Sequence, residues 1–179
     1  YATTALQVTT MQEFRDLFAV EVLAPGQEIG VQSLAILFSD LKDSTALYEY
    51  IGDARAYGWV QRHFTFVIDC ITLHQGALVK TIGDAVMAVF ARPDAAVQAA
   101  LTIQQKLGAF NRAHHIEPPL VIKLGVHQGP VVAINANNRL DYFGRTVNVA
   151  ARVQGESVGG DVVLTADLLH YMAVQQVLK

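Results

Sequence analysis

The segment VKTIGDAVMAVF, residues 79–90, places Lys80 and Asp84 four positions apart in otherwise mostly apolar sequence. The apolar and small residues on both sides of Gly83 predict two strands joined by a tight turn, because glycine accepts backbone angles that other residues avoid. A hairpin of this kind usually belongs to a core, where an unpaired charge is costly. We therefore expect Lys80 and Asp84 to bond each other, to reach solvent at the turn, or to meet a charged ligand.

A second carboxylate follows another apolar run. The segment SLAILFSD, residues 33–40, ends in Asp40 and is followed by LKDST and then by a helical pattern. Two aspartates at the ends of two central strands, Asp40 and Asp84, are the arrangement that a divalent-metal site with oxygen ligands requires. For either aspartate alone, a turn residue at a strand end or a helix cap is the simpler interpretation.

The composition favours a single domain. A chain of 179 residues can bury a sizeable core without a second domain. The net charge of -3, with 16% charged residues, argues against a nucleic-acid-binding surface or an anionic membrane as a partner. No apolar stretch is long enough to span a bilayer and no leader opens the sequence, so we expect no direct membrane contact by this chain. Cys70, the single cysteine, is expected to be a reduced, buried thiol in a cytoplasmic domain.

The N-terminal region carries the pattern of an amphipathic helix. Residues 10–13, TMQE, have the form of a capping box, and the predicted helix ends before Pro25-Gly26. Phe14, Leu17 and Phe18 lie on one face of this helix. The helix either packs on its own domain or acts as a linker that packs on a second copy, and we favour the linker.

The remaining hydrophobic patterns predict a sheet with helices packed against it. The predicted strands are residues 33–40, the two arms of the hairpin around Gly83, 120–127, 131–134 after a break at Gly129-Pro130, and 162–164; the predicted helices are 45–73 with an interruption near Gly52, 93–109, 146–154 and a last one from 165. The order β-α-α-β-β-α-β-β-α-β-α, with antiparallel neighbours, predicts an α+β sheet with helices on one face. His63 and His74 lack the short spacing of metal-binding histidine pairs, so we interpret them as surface or boundary residues.

Three segments resemble the signature segments of class III nucleotide cyclase catalytic domains. They are FSDL with the following Ser44-Thr45, KTIGD at residues 80–84, and DYFGRTVNVAAR at residues 141–152, and they occur in the family's order. The resemblance extends from about Val31 to the end of the chain, and three separate matches carry more weight than one motif. It implies the family's ferredoxin-like or palm-type fold, a mostly antiparallel sheet with helices.

The resemblance also divides the chain. It implies an N-terminal helical linker or transducer segment at residues 1–30 and a nucleotide cyclase catalytic domain at residues 31–179. The family's triphosphate-binding lysine, in a strand and glycine-containing turn near the C-terminus, finds no match before Lys179. We therefore expect either that the C-terminal part is truncated or that another residue makes this contact. Because the chain opens on Tyr1 rather than methionine, we also expect an upstream sensory domain, in a full-length protein that could be attached to a membrane.

The resemblance implies a reaction and its site. Asp40 and Asp84, together with Leu41, would hold two divalent cations, Mg²⁺ or Mn²⁺. The implied activity is that of an adenylyl cyclase, which converts ATP to 3′,5′-cyclic AMP and pyrophosphate by two-metal-ion catalysis in second-messenger signalling. Asn148 and Arg152, on one face of a predicted helix, would position the ribose and stabilise the charge that grows on the α-phosphate.

Lys80 and Asp141 occupy the positions that the family uses to recognise the base. A lysine donates and a carboxylate accepts, which matches the N1 acceptor and the amino donor of adenine. Guanine presents the opposite pattern, and guanylyl cyclases typically carry glutamate at the lysine position and a small polar residue or cysteine at the other. ATP is therefore the expected substrate. The simpler structural interpretation is that Lys80 forms an ion pair with Asp141 or Asp84 in the empty site. A guanylyl cyclase and a catalytically silent nucleotide-binding dimerisation module are the alternatives.

The resemblance finally implies an oligomeric state. Family members form head-to-tail dimers in which the metal-binding aspartates of one subunit face the base-reading and transition-state residues of the other. This single chain carries both sets of residues, so a homodimer with two equivalent sites is expected.

Overall fold

The computed structural model describes residues 5–17, 23 and 27–179. Within these ranges the helices are α1 (Ala5–Thr9), α2 (Gln12–Leu17), α3 (Ser44–Ile51), α4 (Asp53–Leu73), α5 (Pro93–Ala113), α6 (Arg145–Gly155) and α7 (Met172–Val177), with a 3₁₀ helix at Ala166–His170. The strands are β1 (Glu28–Leu41), β2 (Ala77–Ile82), β3 (Ala85–Phe90), β4 (Ile122–Ala136), β5 (Arg139–Phe143) and β6 (Val162–Leu164). None of these described helices is long and apolar enough to cross a membrane.

The strands form one sheet with β1 at its centre. Their order is β2-β3-β1-β4-β5, and β6 pairs with β4 beside this path. The pairs β1–β3, β1–β4, β2–β3 and β4–β5 are antiparallel, whereas β6 runs parallel to β4. The predicted α+β architecture with a mostly antiparallel sheet is therefore confirmed.

Apolar side chains cover both faces of β1. Ala35 and Leu37 belong to a core shared with α4, α5 and α7, whereas Ile36 and Phe38 belong to a second core shared with α6 and α1. The prediction of helices on one face is therefore wrong. The uninterrupted apolar run of β1 already indicates burial on two sides, because a strand with one solvated face alternates apolar and polar residues.

Strand β4 is longer than its sequence pattern suggests, since Gly129-Pro130 does not end it. Its pairing with β1 shifts register between Val31 and Leu34, opposite residues 129–131. A bulge leaves positions outside the regular hydrogen-bond ladder, so a proline, which has no N–H group, is tolerated there. The predicted break is therefore wrong, and residues 122–136 form one strand.

A second hairpin joins β4 to β5. Its turn lies at Asn137 and Asn138, with φ angles of 52° and 59°. Strand β5 behind the loop is missing from the predicted order. It pairs with β4, with Asp141 opposite Ile134, and it therefore carries Asp141 at an edge of the sheet.

The hairpin around Gly83 is confirmed. β2 and β3 pair directly, and Gly83 adopts a φ of 61° at the turn. The interruption at Gly52 and the strand at residues 162–164 are also as predicted. The last predicted helix instead begins as the 3₁₀ helix, before α7. Cys70 is buried, as expected.

Two short helices, α1 and α2, replace the single helix predicted near the N-terminus. The Thr10 hydroxyl donates to the Leu6 carbonyl of α1 at 2.8 Å. Leu17 is 77% exposed, so it lies outside the core. Phe18 and Pro25-Gly26, on which the rest of that prediction depends, lie outside the described residues.

Close packing of α6 on β4 sets the position of the candidate residues on that helix. At Gly125 of β4, a Cβ atom would lie 2.3 Å from the backbone nitrogen of Gln154. A side chain cannot be accommodated at this distance from backbone, so glycine is what allows α6 to lie so near the sheet. Thr146 and Ala150 are buried on the inner side of the helix, whereas Asn148 is exposed.

The variant Gly125→Ala is expected to destabilise the protein by about 2 kcal/mol or more, because the added methyl group must push α6 away from β4. Gly58→Ala is the matched control, since Gly58 lies in α4 with nothing within 4 Å of a Cβ placed there. The control should raise the free energy of unfolding by about 0.5–1 kcal/mol. Urea denaturation measures both changes, and a Gly125→Ala variant as stable as wild type would contradict the packing argument.

Candidate active site

The end of β1 and the β2–β3 turn bring Asp40 and Asp84 together. β1 and β3 pair with Ser39 opposite Val86, which sets Asp84 beside the end of β1. The Leu41 amide donates a hydrogen bond to Oδ2 of Asp84 at 3.3 Å. The candidate metal residues Asp40, Leu41 and Asp84 therefore form one cluster.

The electrostatics of this cluster favour a cation. Burial raises the pKa of the Asp40 carboxyl, and the neighbouring Asp84 carboxylate raises it further. Lys123 and the Leu41 backbone act on Asp40 in the opposite direction. Adjacent carboxylates disfavour each other's ionisation, and a cation bound between them removes this penalty. The cluster thus fits a hard divalent cation with oxygen ligands.

The donor set also indicates which cation fits. Within residues 5–17, 23 and 27–179, no group of three or more His, Cys, Asp and Glu side chains could hold a metal ion. Beyond the two carboxylates, the ligands of a cation here would be backbone oxygens, such as that of Leu41, or substrate oxygens. Mg²⁺ binds in this way, with few protein side chains, whereas structural zinc prefers nitrogen and sulfur ligands. Asp40 and Asp84 therefore fit Mg²⁺ or Mn²⁺.

A cleft of about 670 Å³ opens beside Asp40, between the loop from β1 into α3 and the facing part of β4. Helix α3 begins at Ser44, and Asp43 before it has a φ of 52° and makes no capping hydrogen bond through its side chain. Ser44, Thr45 and Ala46 line the cleft. The first amides of a helix have no partners within the helix, so this end of α3 favours an anion.

Lys123 is a candidate residue that the sequence interpretation does not contain. It lies directly opposite Asp40 in the pairing of β4 with β1, and it lines the same cleft. Its Nζ donates to the Gly155 carbonyl at 3.1 Å. The cleft therefore has a cationic side chain on its β4 side. No short motif marks this lysine, and the signal that could have found it is the register of β1 against β4.

Lys80 pairs with Asp141 rather than with Asp84. Nζ of Lys80 lies 2.5 Å from Oδ2 of Asp141, and Oδ1 of Asp141 accepts a hydrogen bond from the Tyr142 amide at 2.8 Å. Strands β2 and β5 stand at opposite ends of the strand order, so the sheet curls to bring the two residues together. The side chains are 38% and 16% exposed, so the pair remains open to solvent.

Asn148 and Arg152 are both exposed on α6, one turn apart. Residues four positions apart lie on the same face of a helix, as predicted. The structure thus brings the seven candidate residues into three groups. These are the carboxylate cluster at the end of β1, the ion pair between β2 and β5, and the two side chains of α6.

His63 is fully buried in α4, so its interpretation as a surface or boundary residue is wrong. Its spacing from Val60 and Val67 places it on the inner face of the helix, a signal that the sequence contains. Burial lowers the pKa of His63 to about 4, against an opposing effect of Asp84. A neutral imidazole therefore lies next to the turn that carries Asp84. His74 is partly buried, as expected.

A model of the adenylate and guanylate cyclase catalytic domain matches residues 27–178. Among curated relatives, an adenylate cyclase of Lachancea kluyveri is 34% identical over 154 residues, covering 75% of this chain and 8% of the relative. An adenylate cyclase of Anabaena cylindrica is 27% identical over 175 residues, covering 86% of this chain and 35% of the relative. The chain thus spans about a third or less of these relatives' lengths.

A solved structure with a similar fold is that of the adenylyl cyclase CyaB from P. aeruginosa. Its TM-score is 0.73 at 23% sequence identity, and the match covers 84% of this chain and 83% of that chain. At this identity the likeness concerns the fold. The fold that the signature segments imply is thereby confirmed.

The buried neutral His63 predicts that acid destabilises the protein. Because its pKa falls from 6.5 to about 4 on folding, the unfolded state binds the proton first as pH falls. Stability is therefore full above about pH 6.5 and is lost between about pH 6.5 and pH 4, on the order of 3 kcal/mol from this group. From pH 7 to pH 4.5, His63→Leu should lose about 2–3 kcal/mol less than wild type in urea denaturation.

The control for this measurement is His170→Gln, because His170 is exposed. This variant should show the same loss of stability with acid as wild type. Equal losses in wild type and His63→Leu would contradict the assignment of the acid sensitivity to His63.

Proposed function

Because this chain belongs to the adenylate and guanylate cyclase catalytic domain family, we propose that it is an adenylyl cyclase that converts ATP to 3′,5′-cyclic AMP and pyrophosphate in second-messenger signalling. The observation that carries the proposal is the ion pair of Lys80 with Asp141, which joins a donor and an acceptor at the edge of the sheet. In the reaction the ribose 3′-oxygen bonds to the α-phosphorus, the bond from this phosphorus to the β-phosphate breaks, and the hydroxyl proton is released.

The ion pair supports adenine as the base. Adenine presents an acceptor at position 1 and a donor at position 6, whereas guanine presents a donor at position 1 and an acceptor at position 6. Lys80 can meet an acceptor and Asp141 a donor. Adenine and guanine thus have their hydrogen-bond donor and acceptor in exchanged positions. A site that holds Lys80 and Asp141 in fixed places would therefore bind one base and disfavour the other.

The cleft beside Asp40 supports binding of the triphosphate. Asp40 and Asp84 would hold the cations, with the backbone oxygen of Leu41. When bound, two divalent cations, Mg²⁺ or Mn²⁺, polarise the α-phosphate, favour ionisation of the 3′-hydroxyl and hold the leaving pyrophosphate. The amides at the start of α3 and the ammonium group of Lys123 line the same cleft and would bind phosphate oxygens.

Asn148 and Arg152 would act on the ribose and the α-phosphate. Both side chains are exposed on α6, so they can reach a nucleotide bound to a second subunit. Arg152 would place a permanent positive charge where negative charge grows in the transition state. Loss of such a group costs on the order of 100-fold in turnover.

A homodimer would complete the site. Lys80 and Asp141 bond each other across β2 and β5, whereas Asp84, at the end of the same hairpin, bonds the backbone of β1. A head-to-tail pair of chains would set the ion pair of one against the aspartates of the other. Ile82 and Phe143, which are 53% and 68% exposed, are apolar residues near these groups that such an interface would cover.

The proposal extends to the rest of the protein. We assign residues 1–30 to a linker or transducer segment, residues 31–179 to the catalytic domain, and both to the cytoplasm. Relatives that are about three times as long or longer support an upstream sensory domain that acts through this linker.

The purified chain with Mn²⁺ should form cyclic AMP from ATP, and Asp84→Ala should lower the rate by about 100-fold or more, because the cations lose a ligand. Asp69→Ala is the matched control, since Asp69 is exposed on α4 away from the cleft. Product formation from ATP and from GTP is measured by chromatography. Cyclic GMP formed in preference would make the chain a guanylyl cyclase, and nucleotide binding without turnover would make it a silent module.

Mixing two inactive variants tests the shared site. Asp84→Ala and Arg152→Ala should each be inactive alone, whereas a heterodimer of the two contains one intact site. An equal mixture should therefore recover about a quarter of wild-type activity, since about half of the dimers are mixed and each has one working site. A mixture of Asp84→Ala with Asp40→Ala, which damages the same half-site, should stay inactive. No recovery in the first mixture would exclude a site shared between two chains.

A further inference from the structure

Arg15 of α2 is a buried arginine, with 7% of its surface exposed. Backbone carbonyls hold its guanidinium. Nε donates to the Leu78 carbonyl at 3.0 Å, and Nη2 donates to the Leu140 carbonyl at 2.6 Å. Nη1 donates to the Thr9 carbonyl at 3.3 Å and to the Tyr142 hydroxyl at 3.4 Å. A single side chain thus connects four separate points of the backbone and the core.

Two of these carbonyls belong to opposite edges of the sheet. Leu78 lies on β2 and Leu140 on β5, the first and last strands of the order β2-β3-β1-β4-β5. An edge strand has backbone groups that no neighbouring strand pairs. Helix α2 covers such groups on β2, since Oε1 of Gln12 also accepts a hydrogen bond from the Leu78 amide at 2.7 Å. Arg15 therefore joins the two edges through α2.

The two carbonyls that Arg15 connects lie close in sequence to Lys80 and Asp141, the pair proposed to recognise the base. Leu78 precedes Lys80 by two residues, with a register shift between them, and Leu140 immediately precedes Asp141. The ion pair of Lys80 with Asp141 and the guanidinium of Arg15 thus cross the same gap between β2 and β5. The bulge interrupts the regular ladder just before Lys80, which pairs with Met87 beyond it. The contacts of Leu78 with Arg15 and of Lys80 with Asp141 therefore add to the β2–β3 pairing in fixing the place of Lys80.

The chemistry of arginine suits this position. Burial of the guanidinium is costly, and it lowers the pKa of Arg15. The carbonyl oxygens and the ring of Tyr142, whose centroid lies 5.6 Å from Cζ of Arg15, offset part of this cost. An apolar side chain would fill the volume without that cost. Such a side chain has no donors with which to connect two carbonyls. A lysine has a compact ammonium group in place of the planar guanidinium, whose N–H groups point in several fixed directions.

We propose that Arg15 is a positioning residue for base selection, which fixes the spacing of Lys80 and Asp141 by holding β2 and β5 together. The inference rests on the proposed cyclase function, in which these two residues read the base. Adenine and guanine present an acceptor and a donor in opposite order, so the order is read when both side chains keep their places. A looser pair accepts either order, and discrimination falls.

The test compares Arg15→Met with Arg112→Met, because Arg112 is an exposed arginine of α5. For each protein, kcat/KM is measured with ATP and with GTP, and the Mn²⁺ concentration for half-maximal rate is determined. In Arg15→Met, the ratio of kcat/KM for ATP to that for GTP should fall about tenfold, the effect of losing one hydrogen bond of a charged group. The Mn²⁺ requirement should not change, since Asp40 lies on β1 and Asp84 accepts a hydrogen bond from its backbone. A general loss of structure would lower both rates equally.

The variant Arg15→Lys separates positioning from charge. It keeps the positive charge but provides a single ammonium group in place of the fork, so the nucleotide ratio should fall to a value between those of wild type and Arg15→Met. It also keeps the test decisive if Arg15→Met does not fold, which circular dichroism shows. An unchanged nucleotide ratio in the folded variants would overturn the inference.

Hydrogen exchange provides a readout that does not depend on turnover. If wild type forms no product from either nucleotide, the proposed function fails, and exchange decides the positioning role by itself. The amides of residues 80–82 and 141–143 should exchange about tenfold faster in Arg15→Met than in Arg112→Met, because a loss of about 1.4 kcal/mol in local stability is a factor of ten. Equal exchange would overturn the positioning role.

Discussion

The antiparallel pairing of β1 with β3 is the constraint on which the rest of the structure depends. β1 is buried on both faces, so a slip by one residue would exchange the members of two cores. The register, in which Ser39 faces Val86, therefore has little freedom. This register sets Asp84 of the β2–β3 turn beside Asp40. It also lets the Leu41 amide of β1 donate a hydrogen bond to the carboxylate of Asp84. The geometry of the carboxylate cluster is thus a consequence of how the core packs.

The charged groups that the strands of the candidate site carry lie around these two cores, and each has a local partner. Lys123 lies opposite Asp40, and Lys80 forms an ion pair with Asp141. The carboxylates of Asp40 and Asp141 thus each have a lysine ammonium group nearby. Arg15, which is more deeply buried, is held by carbonyl oxygens instead. Partly buried charges add little to stability and are costly when one partner is lost. Their occurrence at the borders of two apolar cores therefore favours a functional explanation.

Periodicity and turn residues predict most of this fold because those signals are local. The hairpin at Gly83 and the interruption at Gly52 depend on near neighbours in the sequence. Gly129-Pro130 does not break β4, because the bulge that accommodates the proline is formed with β1, far away in the chain. Lys123 escapes prediction because strand register decides its place. His63 is different, since its spacing on α4 already placed it inside and its residue type outweighed that signal.

The β2–β3 hairpin connects the two halves of the proposed chemistry. Lys80 forms an ion pair with Asp141 of β5, whereas Asp84 accepts a hydrogen bond from β1. The two residues are nevertheless close in sequence, since Lys80 lies near the end of β2 and Asp84 lies in the turn that follows it. The two contacts are separate, because the ion pair of Lys80 reaches β5 whereas the Leu41 amide of β1 holds Asp84. Helix α2 contacts this hairpin at Leu78 through Gln12 and Arg15. A displacement of α2 would therefore act on the base-recognition pair through Leu78 and Leu140, while β1 keeps the carboxylate cluster in place.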